Sequence, residues 1–262
     1  MYKYIFNSAS TTPLDETWKT KISESLKNRH IASEFEPWSD EVELAKILQE
    51  TSKTTTNSLV VIGNDQDFNS LIGVSSLVQD DIAIGFIPLD GGKTAKKLQL
   101  KSWESAIDAL AQRRIQEIIA FSVGKRFFLE SIEFGIAPTD NQQPLIVSID
   151  SRLNLRLPEC KLHFENLSED RYHSKNPILF SAHSYHQQTE PSNDLLGGLR
   201  KKLKINLQPR HHNIANLHGK LFHIESASEI TDNYGRSYKN SLWIGKNSRK
   251  LRLITGRQKQ IN

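Results

Sequence analysis

The chain has little cysteine and no long apolar run. Its 262 residues include one cysteine, Cys160, which excludes a disulfide within the chain and a thiolate metal site. No window approaches the run of about eighteen apolar residues that a membrane span needs. The opening residues, MYKYIFNSAS, have neither the basic segment nor the apolar segment of a signal peptide. These absences predict a cytoplasmic protein.

Acidic residues are scarce in the last quarter of the chain. Residues 195–262 contain 14 lysines and arginines but 3 acids. Residues 1–130 contain 15 basic and 18 acidic side chains, whereas residues 131–262 contain 19 and 12. The overall net charge of +4 therefore conceals two regions of opposite sign, which indicates two domains. A charged fraction of 24% beside 37% hydrophobic residues excludes wholesale disorder.

The first half of the sequence predicts alternating strands and helices. Ser58–Ile62 and Ile82–Pro88 are apolar runs typical of parallel strands buried on both faces. Helical spacing of apolar residues lies between and around these strands, at 14–26, 42–48, 68–72 and 103–110. Further strands are predicted at Tyr4–Phe6, Ile118–Val123 and Phe127–Phe134. This alternation predicts a Rossmann-like α/β domain with a mostly parallel sheet.

The second half changes to strict alternation of apolar and polar residues. The alternating segments are Arg152–Leu157, Lys161–Phe164 and Lys202–Leu207, which predict an antiparallel β-sandwich with one wet face. Further strands are predicted at 178–182, 220–224, 242–244 and 250–254. The change of pattern near Pro138 places the domains at 1–138 and 139–262. The last strand is a candidate to return to the first domain.

Three turns after predicted strands carry a resemblance to a known family. Asn7-Ser8-Ala9-Ser10 resembles the N-P-x-S-G turn, and Gly63-Asn64-Asp65-Gln66-Asp67 lies where the family has G-G-D-G-T. Ile87 to Thr94 resembles the I-P-x-G-T-x-N-D segment, and Val123 to Gly135 resembles the strand that carries F-x-N-x-x-x-x-G. In this order the segments resemble the diacylglycerol kinase catalytic family, soluble bacterial lipid kinases related to NAD kinases.

The resemblance implies a nucleotide site at the turns and in the cleft between the two domains. Glycines at such turns let backbone N–H groups approach phosphate oxygens at a helix N-terminus. The implied cofactors are ATP and Mg²⁺, and the implied activity is phosphoryl transfer to a lipid hydroxyl such as that of diacylglycerol. The implied nucleotide-binding residues are Asn7, Ser10, Gly63, Asn64, Asp65, Asp67, Gly91, Gly92, Lys93 and Thr94.

The sequence departs from the family at positions that carry charge. Asp67 stands where the family has Thr, and Glu130 replaces the Asn of the following strand motif. The family's acidic turn becomes Arg200-Lys201, and its D-G-E falls on Asp232-Asn233-Tyr234. Asp65 and Asp232 remain as candidate catalytic residues, and no metal site is predicted. Phosphoryl transfer depends on a metal ion and on cations that stabilise the charge of the transferred group. Because these departures affect residues that would hold the metal, two functions stay open. One is a lipid kinase, and the other is a non-catalytic descendant that binds a nucleotide, a lipid or a protein partner.

The basic residues of the second half suggest an anionic partner. Arg200, Lys201, Lys202 and Lys204 favour contact with a lipid or an anionic membrane surface, which would make the protein peripheral to the membrane. A solvated sandwich face is the alternative, and nucleic acid is disfavoured because no aromatic residues are interleaved among the cations. A second copy of the chain, in a homodimer, is a further candidate partner. Zinc-site spacing is lacking among His183, His186, His211, His212, His218 and His223, which are therefore expected to be polar loop residues.

Overall fold

The computed structural model describes most of the chain and divides it into two compact units. The described residues are 2–10, 14–53, 58–77, 82–136, 145–157, 160–167, 177–184, 213–226, 229–233, 235–239 and 241–256. The first unit comprises Met1–Glu130 together with Asn247–Asn262, and the second comprises Ser131–Lys246. The predicted boundary at residue 138 lies outside the described residues.

The first unit alternates strands and helices. Its strands are β1 (Tyr2–Asn7), β2 (Phe35–Trp38), β3 (Ser58–Gly63), β4 (Ala83–Pro88), β5 (Ile115–Val123) and β6 (Arg126–Phe128). Its helices are α1 (Glu16–Lys27), α2 (Glu41–Ser52), α3 (Asp65–Val74), α4 (Lys93–Lys97) and α5 (Trp103–Ala111), with a 3₁₀ turn at Ser75–Leu77.

The core of the first unit is a mostly parallel sheet. Strand β1 pairs in parallel with β2 and β3, and β3 pairs in parallel with β4. Every residue of β4 is buried, as its continuous apolar sequence requires when helices cover both faces of a sheet. Phe68 of α3 packs against Phe86 of β4 with ring centroids 4.7 Å apart. The predicted Rossmann-like α/β architecture is confirmed.

Short polar side chains begin the helices that follow the strands. Asp15 accepts a hydrogen bond from the backbone N–H of Trp18 at the start of α1. Asp40 accepts two from the first turn of α2, and Asn64 caps α3. Such caps satisfy backbone donors that have no partner within the helix. The cap at Asn64 fixes the residue at which the turn after β3 ends and α3 begins.

The second unit contains one antiparallel sheet of six strands and the antiparallel strands of a second, mixed sheet. Its strands are β7 (Ser131–Ile136), β8 (Leu145–Ile149), β9 (Leu153–Leu157), β10 (Cys160–Asn166), β11 (Ile178–Ser184), β12 (Asn213–Gly219), β13 (Phe222–Glu225), β14 (Ile230–Asp232) and β15 (Ser237–Tyr238). One sheet has the order β12-β11-β10-β7-β14-β15. In the other, β13 pairs with β8, which pairs with β9. The last strand, β16 (Ser241–Ile254), begins in this unit beside β13 and ends in the first unit beside β4.

Aromatic side chains join the two sheets of the second unit. Phe222 of β13 lies 5.2 Å from Phe164 of β10 and 5.7 Å from Phe180 of β11, measured between ring centroids. All three side chains are fully buried. A fully buried Phe contributes about 1.5–3 kcal/mol to stability. The predicted antiparallel sandwich is therefore confirmed.

Some predicted elements differ in their bounds. The segment Phe127–Phe134 was predicted as one strand, but it is divided between β6 and β7 by a bend at Leu129-Glu130. The two strands predicted at 242–244 and 250–254 are a single strand, β16. The predicted strand Lys202–Leu207 lies outside the described residues. Among the helices that the structure describes, none is both long enough and apolar enough to cross a membrane.

Candidate functional site

Two strand-to-helix turns lie side by side at one edge of the parallel sheet. The first turn joins β3 to α3 at Gly63-Asn64, and the second joins β4 to α4 through 89–92. Gly63 is in register with Pro88, and the backbone N–H of Leu89 donates to the carbonyl of Gly63 over 2.9 Å. Ligands of open α/β sheets bind at this carboxyl edge of the strands. These two turns therefore define the candidate site.

Asp67 is the centre of a hydrogen-bond cluster at this edge. Its carboxylate accepts from Asn7 Nδ2 at 2.9 Å, from Ser10 Oγ at 2.8 Å and from the backbone N–H of Asn64 at 3.0 Å. The Asn64 side chain in turn accepts from the Asp67 backbone N–H at 3.0 Å, which completes a capping box. Asp67 is 2% exposed, so these bonds replace its hydration. The cluster joins the turn after β1 to the start of α3.

The carboxylate of Asp67 also occupies the space beside Gly63. A β-carbon added at Gly63 would collide with Asp67 Oδ2. Glycine at this turn thus makes room for a side chain of the same loop. The sequence suggests that the glycine leaves room for a phosphate, but the nearest anion to it is Asp67.

The second turn has the same arrangement with Asp65. The backbone N–H of Thr94 donates to Asp65 Oδ2 over 3.0 Å, and a β-carbon at Gly92 would collide with the Asp65 carboxylate. A β-carbon at Gly91 would have no heavy atom within 4 Å. Gly92 is therefore required by the close approach of Asp65, whereas Gly91 lies in open space.

Several oxygens at this edge lack a hydrogen bond of ordinary geometry. They are Asp65 Oδ1, Thr94 Oγ1 and Glu130 Oε1, all buried. Burial raises the pKa of Glu130; the charge of Lys97 opposes this shift and the charge of Asp65 adds to it. The Nζ of Lys97 donates to the carbonyl of Leu129 over 3.0 Å. The carboxyl group of Glu130 therefore lies in surroundings that favour its neutral form.

Asp90 adds a further carboxylate to the second turn. Burial raises the pKa of Asp90, and the negative charges of Asp65 and Asp67 raise it further, while the backbone N–H of Gly92 opposes the shift. The sequence indicated the turn but not the part that Asp90 plays in it. The available signal was its position between the end of β4 and the two glycines.

The structure brings the predicted nucleotide-binding residues into two contacting sets. Asn7, Ser10, Asn64 and Asp67 form the first set, and Asp65, Gly92 and Thr94 form the second. Lys93, the first residue of α4, is exposed, as is Gly91. Lys93 is close enough to lower the pKa of Glu130, although this is the smallest of the contributions.

Asp232, the other candidate catalytic residue, lies in the second unit. Its carboxylate accepts from the backbone N–H of Arg236 at 3.0 Å, from Arg236 Nε at 2.7 Å and from the Tyr238 hydroxyl at 3.0 Å. Asp232 is 4% exposed and closes the hairpin between β14 and β15. These contacts are those of a turn-stabilising residue.

The basic residues predicted to face lipid, Arg200, Lys201, Lys202 and Lys204, lie outside the described residues, as does Tyr234.

The expectation that the histidines lie in loops is wrong for three of them. His183, His218 and His223 lie in β11, β12 and β13. His223 stacks on Trp243 with ring centroids 4.0 Å apart. Within the part of the chain that the structure describes, no group of three or more His, Cys, Asp or Glu side chains is arranged to hold a metal ion.

Solved structures share this fold over nearly the whole chain. A diacylglycerol kinase from Bacillus anthracis str. Sterne has a TM-score of 0.65 at 13% identity, with 100% of this chain and 98% of that chain covered. A candidate diacylglycerol kinase from the same organism has a TM-score of 0.67 at 12% identity, covering 97% and 96%. An NAD kinase from Archaeoglobus fulgidus in complex with ATP has a TM-score of 0.55 at 10% identity, covering 98% and 94%. No protein-family model and no curated protein matches the sequence.

Proposed function

Since the chain has the fold of bacterial diacylglycerol kinases, we propose that it is a lipid-kinase-like protein whose phosphate-binding turns are closed by its own carboxylates. With its turns closed in this way, the protein does not transfer phosphate, and it acts by binding a partner. The observation that carries the proposal is the cluster around Asp67, in which one buried carboxylate takes the donors of the first turn.

The turns as they stand do not fit the phosphates of ATP. Asn7, Ser10 and the Thr94 backbone N–H already donate to carboxylates of the chain. A phosphate that took these donors would have to displace Asp65 and Asp67 or lie beside them. Two like charges 4 Å apart repel by about 4 kcal/mol at an effective dielectric constant of 20. We therefore derive no step of phosphoryl transfer at these turns.

An active ATP- and Mg²⁺-dependent lipid kinase is the second candidate. It is favoured by Asp65, which keeps the place of the family's acidic residue and has an unpaired buried oxygen, Oδ1. The ATP bound to the similar NAD kinase supports a nucleotide partner for this fold. The acceptor in that case would be a lipid hydroxyl, with the basic second half of the chain at an anionic membrane surface.

Transfer of labelled phosphate from ATP distinguishes the two candidates. We expect the folded wild-type protein to label no member of a panel of hydroxyl-bearing lipids, diacylglycerol included, with Mg²⁺ present. Mg²⁺-dependent labelling that is lost in Asp65→Ala would overturn the proposal and establish the kinase. Thermal unfolding with ATP, with and without Mg²⁺, reports nucleotide binding separately from turnover.

Binding to vesicles tests the membrane partner independently of catalysis. If the basic residues of the second half contact lipid headgroups, the protein will sediment with vesicles containing an anionic lipid and not with neutral vesicles. Added salt should release it, because exposed charges are screened. Equal sedimentation with both kinds of vesicle would contradict an electrostatic membrane contact.

A further inference from the structure

A cavity lies at the edge of the parallel sheet opposite the candidate site. Its volume is about 310 Å³, and its lining includes Tyr2, Arg29, His30, Leu110 and Arg113. Tyr2 is the first residue of β1, whereas Asn7 at the far end of that strand belongs to the Asp67 cluster. The cavity lies within the first unit and is separate from the candidate site. Its size is at the lower end of the range typical of small-molecule sites.

The first wall of the cavity is the turn that ends α1. The backbone N–H of His30 donates to the carbonyl of Lys27 at 2.9 Å, and that of Ile31 donates to Leu26 at 3.0 Å. His30 has a φ of 56°, in the left-handed region. This pattern is a Schellman cap, in which glycine is the usual left-handed residue. A histidine here works against the backbone preference.

The second wall repeats the same turn at the end of α5. The backbone N–H of Arg113 donates to the carbonyl of Leu110 at 3.0 Å, and that of Arg114 donates to Ala109 at 3.1 Å. Arg113 has a φ of 48°. Two side chains that line one cavity thus occupy positions that glycine would fill with less strain. Residues held in such conformations cluster at functional sites.

The charges of the lining favour an anion. Arg29 donates to Asp108 Oδ1 at 2.8 Å, so its charge is partly offset. Arg113 forms none of the ion pairs among the described residues, and its guanidinium lies 6.0 Å from the centre of the Tyr2 ring. Burial raises the pKa of Tyr2, and a hydrogen bond from Arg113 together with its charge opposes this shift, so the Tyr2 hydroxyl takes part of the donor capacity of the guanidinium. The Tyr2 hydroxyl is held by donation to the carbonyl of Leu110 at 2.7 Å. A planar guanidinium beside a rigid aromatic ring suits recognition of an oxyanion.

We propose that this cavity binds a small molecule carrying a phosphate or carboxylate group, held by the guanidinium of Arg113 and the ring of His30. The cavity sits at the C-terminal ends of two helices, whose dipoles attract the cations of the lining but oppose a bound anion, so the affinity for an anion has to come from these two side chains. The cations of the lining could act only by stabilising the ends of the two helices. This structural role and the binding role make different predictions, because only binding responds to an added anion.

Glycine substitution separates the two roles. Arg113→Gly and His30→Gly remove the side chains and suit the left-handed backbone, so both variants should fold with a Tm at or above that of the wild type. Gln99→Gly is the matched control. Gln99 has a φ of 56° in the same kind of cap at the end of α4 and is absent from the cavity lining.

Titration at constant ionic strength with inorganic phosphate and with succinate, followed by NMR or calorimetry, measures the binding. We expect one saturable site for at least one of these anions in the wild type and in Gln99→Gly, with at least about tenfold weaker binding in Arg113→Gly. The anion that binds identifies the oxyanion class. Absence of saturable binding in the wild type, or unchanged affinity in Arg113→Gly, overturns the proposal.

Discussion

Asp67 accepts a hydrogen bond from the side chain of Asn7, sixty residues earlier in the chain, and so joins the ends of two neighbouring parallel strands. The same carboxylate fills the space beside Gly63. The sequence places Asp67 in a segment that resembles a phosphate-binding loop. In the structure, its carboxylate stabilises that loop by accepting the loop's own donors. Four predictions follow from this arrangement and from its neighbours.

Replacing Asp67 by alanine should lower the free energy of unfolding by about 2–4 kcal/mol, because the donors of Asn7, Ser10 and Asn64 lose their acceptor inside the protein. Denaturation by urea measures the change. Asp40→Ala is the control, since Asp40 is an exposed cap with two backbone donors and should cost about 1 kcal/mol. Equal losses in the two variants would show that the Asp67 cluster stabilises no more than an ordinary cap.

Replacing Asp67 by asparagine should strengthen binding of ATP by about tenfold or more, because it removes a negative charge and replaces one of the two acceptor oxygens by a donor NH2 group. At least one of the donors now held by the carboxylate then loses its acceptor and is available to a phosphate. Calorimetric titration of ATP measures the affinity. Glu43→Gln removes one acidic charge from the surface helix α2 and controls for net charge. Equal affinity for ATP in Asp67→Asn and the wild type would contradict the proposal that the Asp67 carboxylate takes the donors that a phosphate would use.

Alanine at Gly92 should destabilise the protein by about 1 kcal/mol, because the new β-carbon pushes the Asp65 carboxylate away from the Thr94 N–H. Alanine at the adjacent Gly91 meets no heavy atom within 4 Å and should change stability by less than about 0.5 kcal/mol. Unfolding of the two variants under the same conditions measures the difference. A larger loss at Gly91 would contradict the described turn.

The ionisation of Glu130 should make the protein less stable as the pH rises. Its pKa is raised in the folded protein, chiefly by burial, so the folded state binds the proton more tightly than the unfolded chain. The stability that Glu130 contributes is present at acid pH and is lost as pH rises through the raised pKa. Glu130→Gln mimics the neutral form, so its advantage in Tm over the wild type should be greatest at pH 7 and should shrink towards pH 5.

Glu24→Gln, on the exposed face of α1, serves as the charge control for that experiment. It should show no comparable pH dependence relative to the wild type. An advantage of Glu130→Gln that is constant over the whole pH range would contradict a titrating carboxyl at this position.

The buried strands were predictable because their sequences leave few alternatives. Leu59, Val60, Val61 and Ile62 form an unbroken apolar run, which is stable only between two layers of helices. Strand β2 was missed because it has four residues and contains Pro37. Proline is tolerated there because β2 is the end strand in the described order of its sheet, where one side of the strand needs no donor.

The turns of the candidate site were predictable from the sequence, but their contacts were not. The turns around Gly63 and Gly92 follow from strand ends and glycines, and both lie where the sequence places them. The sequence does not say which donors the carboxylates of Asp65 and Asp67 accept from. Those donors come from distant segments, so the choice is made by tertiary structure. Residues 245–249 suggested a break in the last strand, because a glycine followed by four polar residues suits a loop equally well.

The last strand has a consequence for the order in which the chain can fold during synthesis. Residues 247–254 of β16 supply the strand that pairs with β4, yet they are made after the whole of the second unit. Until they emerge from the ribosome, the edge of β4 lacks this partner and exposes unpaired backbone groups. The second unit, by contrast, has nearly all of its strands by then. The first unit to be synthesised is therefore the last that can be completed.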